Sequence, residues 1–161
     1  MKNINIVIVL ILVALTGVAI YNGIKKSDRQ EKEISSRYAS KIMPLSFAVP
    51  ENYSVAEKNH LVSLGSKTGD GNISIHRIAT NFNSVDDYIV DLSEMNKLKI
   101  SAKSPVIIGG KDFRLIQYIS GSANKKVYVT VNEGWAYTIE STTADMGMDL
   151  EAVAMSVEFI Q

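Results

Sequence analysis

A long apolar run near the start of the chain is the feature that most constrains this sequence. Residues Ile4 to Tyr21 read INIVIVLILVALTGVAIY, and no charged side chain falls between Lys2 and Lys25. As an α-helix this run reaches about 27 Å, close to the roughly 30 Å hydrocarbon core of a bilayer. The run is apolar on every side of that helix, whereas a surface helix of a globular protein has one apolar stripe. It therefore predicts a transmembrane anchor within residues 1–24.

Two fates of this run remain open. Gly17-Val18-Ala19 has the small residues of a signal-peptide cleavage site. The run exceeds the about 7–15 residues of a signal-peptide core, which favours an uncleaved anchor with the lipid bilayer as its partner. Five basic residues after the span favour a cytoplasmic body by the positive-inside rule, whereas a short anchor before one domain is typical of an exported body. We expect a single-pass protein of the cell membrane with its C-terminal domain on the extracytoplasmic side.

Charge and cysteine content exclude several classes of function. The chain has 17 basic and 17 acidic residues, so no nucleic-acid partner is predicted. It has no cysteine, which excludes disulfides, cysteine-bound metals, thiol nucleophiles and lipid-modified cysteines. Segment 1–44 holds seven basic and three acidic residues, whereas segment 45–161 holds ten and fourteen. The two segments therefore differ in the sign of their net charge as well as in hydropathy.

A charged stretch, residues 25–44, follows the apolar run. Within it an apolar residue recurs every four positions, at Ile34, Tyr38 and Ile42. This spacing predicts a stalk that is partly helical. Pro44 would end such a helix, because the residue before a proline avoids helical geometry.

The remaining residues, 45–161, predict a globular α+β domain with an antiparallel sheet of six to seven strands. Stretches of alternating apolar residues are separated by turn sequences at 68–71, Gly109-Gly110 and Asn132-Glu133-Gly134. Adjacent glycines supply the positive φ values of a two-residue hairpin turn, and the last sequence suits a three-residue loop. A body of this size can bury a core without metals or disulfides.

Two helices are expected to cover this sheet. Ser84 is a suitable N-cap for an amphipathic helix, since Asp86 and Asp87 follow it in the first turn and apolar residues recur with helical spacing. A second helix is predicted near 146–157. Phe159 and Ile160 after it either cap the fold or add a final edge strand. These elements together predict helices on either side of the sheet, an αβα arrangement.

Three short segments mark this order of elements. FAVPENY at 47–53 opens the domain, SVDDY at 84–88 opens the first helix, and SVEF at 156–159 closes the domain. Over about 45–160 the order resembles that of the PsbP/Mog-like superfamily. Tyr53 stands where tryptophan is common in that family, and the lipid-bearing cysteine of its bacterial members is absent. The resemblance implies an αβα sandwich that acts as a non-enzymatic binding or assembly module, and it transfers no ligand-binding residue.

The two histidines, His60 and His76, are the candidates for catalysis or metal binding. Together with Glu57 and Asp70 they could meet across the first hairpin and hold zinc or manganese. Their spacing matches no ligand signature, and no G-x-S-x-G motif supplies a serine nucleophile. We expect no catalytic residue, metal site or cofactor. The alternative is a small hydrolase or metal-dependent enzyme that uses His60 or His76.

The other conspicuous side chains are interpreted as surface or core. An acidic set lies opposite the apolar face of the first helix and is expected to be solvated: Asp86, Asp87, Asp91 and Glu94. A basic set lacks the interleaved aromatic residues of a nucleic-acid platform: Lys97, Lys99, Lys103 and Lys111. Trp135 and Tyr137 are expected in the core or on a sheet face. The predicted function is therefore a membrane-anchored, extracytoplasmic, non-catalytic module that binds a protein or an envelope component.

Overall fold

The computed structural model describes residues 34–69, 71–121, 123–143 and 147–160. The predicted anchor at Ile4–Tyr21 and the candidate ligand Asp70 lie outside these ranges. No helix in the described ranges has both the length and the apolar character needed to cross a bilayer. The elements in chain order are β1 (Ile34–Ala39), β2 (Leu45–Pro50), β3 (Tyr53–Lys58), β4 (Leu61–Ser66), β5 (Asn72–Ala79), α1 (Val85–Met95), β6 (Ile100–Ile108), β7 (Lys111–Ser120), β8 (Ala123–Asn132), β9 (Trp135–Ser141), α2 (Gly147–Met155) and β10 (Glu158–Phe159).

Seven of these strands form the main sheet, in the order β3-β4-β5-β9-β8-β7-β6, with antiparallel neighbours. A smaller sheet has the order β1-β2-β10. The predicted antiparallel sheet with two helices is confirmed. Two neighbouring strands of the main sheet, β5 and β9, are far apart in the sequence. The residues between them form α1 and the strands β6, β7 and β8.

Tight turns join the hairpins of the main sheet. Gly109 and Gly110 have φ values of +54° and +74°, as the sequence predicts. The expected three-residue loop at 132–134 is wrong, because Asn132 pairs directly with Trp135. Glu133 (φ +52°) and Gly134 (φ +75°) form a two-residue turn instead, with both residues left-handed as a primed turn requires.

Each face of the main sheet carries one helix. On one face α1 buries Val85, Tyr88 and Ile89 against residues of β7, β8 and β9. On the other face α2 and β2 enclose the larger core, which includes Phe47, Phe113, Tyr128, Tyr137, Leu150 and Val153. Successive residues of a strand point to opposite faces, so one sheet supplies both cores.

The cap of α1 follows the sequence prediction. The Ser84 side chain accepts hydrogen bonds from the amides of Asp86 (3.1 Å) and Asp87 (3.4 Å). These bonds satisfy two of the amide groups that lack partners at the start of a helix. The two aspartates lie in the first turn, where the helix dipole favours negative charge.

Helical structure at 34–39, within the predicted stalk, is wrong because Ile34–Ala39 is a strand beside β2. The rest of the stalk up to residue 33 lies outside the described ranges. An apolar period of four residues is a multiple of two, so the spacing of Ile34 and Tyr38 in the sequence fits a strand as well as a helix. Ile42 lies beyond the end of the strand. The Tyr38 ring packs 5.6 Å from the Phe47 ring, and the Arg37 Nε donates to Ser46 Oγ at 3.0 Å. The folded body therefore includes residues that the sequence assigned to the stalk.

Candidate functional site

A cleft of about 460 Å³ lies where the β3–β4 turn, the end of β5 and the start of β9 meet. Strand pairing brings these segments together, since Leu61 is opposite His76 and Ala79 is opposite Trp135. The Arg77 amide also donates to the His60 carbonyl at 2.9 Å. We call this the basic cleft; its lining consists of Lys58, Asn59, His60, Leu61, His76, Arg77, Ile78, Ala79 and Trp135.

Arg77 stacks on Trp135 within the basic cleft. The guanidinium carbon lies 4.3 Å from the centre of the indole ring, which is a cation–π contact. Its Nε is hidden from solvent and meets no acceptor among the described residues. Burial raises the pKa of the Tyr137 hydroxyl, and the nearby Arg77 opposes part of that rise. The fold therefore holds this guanidinium in place without an acidic partner from the described residues.

The two histidines line the same cleft but do not form a catalytic pair. The His60 ring lies 5.8 Å from the Trp135 ring, centre to centre. The His76 Nε2 is 3.8 Å from a Glu140 carboxylate oxygen, which is too long for a hydrogen bond. The buried hydroxyl of Thr130 donates to the Asp112 carbonyl on β7, and that of Ser141 donates to the Thr143 carbonyl just after β9.

The metal cluster that the sequence suggested is not assembled by the described residues. The Glu57 carboxylate accepts hydrogen bonds from Ser40 Oγ (2.6 Å) and the Lys41 amide (3.1 Å). It therefore secures the β1–β2 connection. No group of three histidine, aspartate or glutamate side chains in the described ranges is placed to hold a metal ion.

The charged clusters are partly paired. Asp86 was expected to be solvated, but its carboxylate accepts from Arg114 Nη2 at 2.8 Å and from Lys103 Nζ at 2.9 Å. Hydrogen bonds from Arg114 and then Lys103 hold the pKa of Asp86 below its usual value. The basic set is dispersed, since Lys111 lies 6.0 Å from the Phe159 ring and Lys97 follows the end of α1. Asp87 and Glu94 are exposed as expected.

A second concave region lies between α1 and the sheet. This helix groove, of about 290 Å³, shares His76 and Ile78 with the basic cleft. Its remaining lining combines aromatic and aliphatic side chains with a carboxylate at one end: Tyr88, Leu92, Asn96, Leu98, Ile116, Tyr118, Val127, Thr138 and Glu140. The two concave regions together form a continuous stretch of surface around the end of β5.

The basic cleft was only partly foreseen from the sequence. His60 and His76 were named as candidates, and Trp135 was expected in the core or on a sheet face. Arg77 was not singled out. Its contact with Trp135 depends on the β5–β9 pairing, which places Arg77 opposite Tyr137. Trp135 lies two residues before Tyr137 on β9. No local sequence motif predicts such a long-range contact.

Comparison with known proteins identifies the fold. No family model matches the chain, and no curated protein matches it. Among solved structures, the solution structure of cyanobacterial PsbP (CyanoP) from Synechocystis is similar, with a TM-score of 0.56 and 14% identity over 79% of this chain and 93% of that chain. A crystal structure from Bacteroides thetaiotaomicron also has a TM-score of 0.56, with 16% identity over 79% of this chain and 49% of that chain.

The second match spans about half of the Bacteroides chain, whereas the first spans nearly the whole of the cyanobacterial one. Both agree with the resemblance that the order of elements indicates. At these identities the similarity concerns the backbone arrangement, so site residues are taken from this chain alone. The protein has a PsbP-like fold.

Proposed function

We propose that the protein is a non-catalytic binding module that docks an acidic segment of a partner protein in the basic cleft. The observation that carries this proposal is the Arg77 guanidinium, stacked on Trp135 and without an acidic partner among the described residues. A planar guanidinium fits a carboxylate through two parallel hydrogen bonds. Lys58 adds a second positive charge beside it.

The character of the cleft supports a protein ligand over a small substrate. The cleft is open, and Lys58, Asn59, His60 and Ala79 are among its exposed residues. Ile78 beside them is 53% exposed. Tryptophan and arginine are the residues most enriched among those that dominate binding energy in protein interfaces. A half-buried stack surrounded by exposed polar and apolar side chains is consistent with such a surface.

The body is proposed to act on the extracytoplasmic side of a membrane, held there by Ile4–Tyr21. This part of the proposal is supported by the length and uniform apolarity of that run. An integral anchor would keep the protein in membranes through high-salt and carbonate washes, whereas a protein held by surface charge would be released. Protease added to intact spheroplasts would degrade residues 45–161. A mature N-terminus at Ile20 would instead indicate cleavage, and a protected body would indicate the opposite orientation.

Site-specific cross-linking tests the docking surface. A photo-reactive amino acid in place of Ala79, an exposed position in the cleft, would form a covalent cross-link to the partner in living cells. Peptide mapping is expected to find the adduct in a segment rich in aspartate and glutamate. The Arg77→Glu variant should lose the adduct, whereas Lys126→Glu, which changes an exposed lysine outside the cleft, should retain it. An adduct unchanged by Arg77→Glu would contradict the proposal.

The enzymatic alternative makes a different prediction. A hydrolase or metal-dependent enzyme would lose its cellular phenotype when His60 and His76 are both replaced by alanine. A binding module that depends on Arg77 and Trp135 would keep most of its adduct in that variant. Circular dichroism of the double variant would establish that it folds.

A further inference from the structure

The helix groove combines an apolar wall with a carboxylate that has no strong cationic partner among the described residues. Leu92 and Ile116 lie on the wall, and Tyr88 and Tyr118 contribute aromatic rings. Glu140 also lines the groove and lies on β9, opposite Val127 of β8. The volume of about 290 Å³ corresponds to the space of roughly ten water molecules.

The charged groups around Glu140 leave its carboxylate available to accept a hydrogen bond from a ligand. Its contact in the described residues is His76 Nε2 at 3.8 Å. Lys125 lies on the same face, but its ammonium donates to the Thr142 carbonyl at 3.4 Å. Burial raises the pKa of Tyr118, and the charge of Glu140 adds to that rise. The carboxylate thus exerts its field on the aromatic wall of the groove.

Tyr88, the other tyrosine of the groove, also has an acidic neighbour. Burial raises the pKa of Tyr88, and the nearby Asp91 adds to that rise. Each tyrosine ring of the groove therefore stands close to an acidic side chain. Aromatic faces attract cations through their quadrupole, and a carboxylate adds a charge-assisted hydrogen bond. A cationic ligand is favoured here, in contrast to the anionic segment expected in the basic cleft.

We propose that the helix groove binds a primary ammonium group carried on a short apolar chain or ring. The ammonium donates to the Glu140 carboxylate, and the chain lies against Tyr118, Leu92 and Ile116. Such a group is found both on free amines and on lysine side chains. This inference does not rest on the proposed docking of an acidic segment, because Glu140 takes no part in the basic cleft.

Binding is measured on the full chain in lipid nanodiscs by saturation-transfer NMR, with empty nanodiscs subtracted. Phenethylamine represents a free amine, and Nα-acetyllysine amide represents a protein lysine. The neutral analogue 2-phenylethanol has the same ring and chain length as phenethylamine. Both compounds can donate a hydrogen bond to the Glu140 carboxylate, but only the ammonium of phenethylamine carries the opposite charge. Phenethylamine is therefore expected to bind at least about tenfold more tightly than 2-phenylethanol. Tighter binding of the lysine amide would support the proposal and identify a protein ligand.

Three variants make the test specific. Glu140→Gln should remove the preference for the amine over the alcohol, whereas Glu51→Gln, at an exposed turn, should preserve it. Thr138→Lys places a tethered ammonium within the groove and should abolish binding of the free amine. Thermal unfolding followed by circular dichroism confirms that each variant is folded. Equal affinity for amine and alcohol in the wild type, or a preference that survives Glu140→Gln, would overturn the proposal.

Discussion

Replacing Gly109 by alanine tests how closely the β6–β7 turn packs against the segment that leads into β10. Both glycines of the turn have positive φ values, +54° for Gly109 and +74° for Gly110. A Cβ atom on Gly109 would lie 2.6 Å from the Val157 carbonyl oxygen. A Cβ atom on Gly110 would meet no atom of the residues that the structure describes within 4 Å. The two alanine variants therefore share the backbone strain and differ in the steric contact.

The structure allows both costs to be estimated. Gly110→Ala should lower the free energy of unfolding by about 1 kcal/mol, because left-handed geometry costs an L-residue roughly 1–2 kcal/mol and the stiffer unfolded chain returns part of it. Gly109→Ala carries the same backbone strain and adds a close contact between the new Cβ atom and the Val157 carbonyl oxygen. That oxygen belongs to the backbone, so it cannot rotate away as a side chain could. Relief of an overpacked contact typically costs roughly a further 1–3 kcal/mol. The expected total for Gly109→Ala is about 2–4 kcal/mol.

Urea unfolding followed by Trp135 fluorescence measures this difference, since Trp135 is the single tryptophan of the chain. The midpoint should fall further for Gly109→Ala than for Gly110→Ala, with an unchanged dependence on urea concentration. Equal losses in the two variants would show that the contact with Val157 does not restrict the turn. The double replacement of both glycines by valine should cost at least as much as Gly109→Ala alone.

Three further predictions concern caps and titrating groups. Ser84→Ala removes the cap of α1 and should cost about 1 kcal/mol in urea unfolding, whereas Ser93→Ala, within the helix, should cost less. Tyr53 donates to Asp149 at 2.6 Å, and burial, followed by this bond, raises its pKa. The contribution of Tyr53 to stability is therefore present below its pKa in the unfolded chain, near 10, and is lost as the pH rises above that value. Tyr53→Phe should lessen the loss of stability that urea unfolding measures at alkaline pH. The lowered pKa of Asp86 has the opposite effect, since its contribution to stability is present above the ordinary value of 3.8 and is lost as the pH falls below it. Asp86→Asn should therefore weaken the fall of stability in acid, at a cost of up to about 1 kcal/mol at neutral pH because the side chain is 40% exposed.

The sequence predicts those parts of the fold that depend on local chemistry. The Ser84 cap, the positive φ values at Gly109-Gly110 and the hairpins on either side follow from residue types and their spacing. Such features need only a few neighbouring residues. Their interactions are therefore visible before any tertiary contact is known.

What the sequence could not reveal depends on pairing between distant segments. The strand at Ile34–Ala39 requires β2 as its partner, and the local pattern fits a helix equally well. Glu133 takes a left-handed conformation that its side chain does not favour, because β8 and β9 fix the length of the turn. The same holds for the stack of Arg77 on Trp135, which exists only after β5 has met β9.

The small sheet has a consequence for the order in which the body can assemble during synthesis. Arg37 pairs with Glu158 at 2.6 Å and reaches the Ser156 carbonyl, 119 positions later in the chain. Leu45 likewise pairs with Phe159. Because chains emerge from the N-terminal side at about 5–20 residues per second, β2 waits several seconds or more without β10 beside it. The first strands of the body to be made are thus among the last to be completed, and until then a chaperone or a neighbouring chain can pair with the open edge of β2.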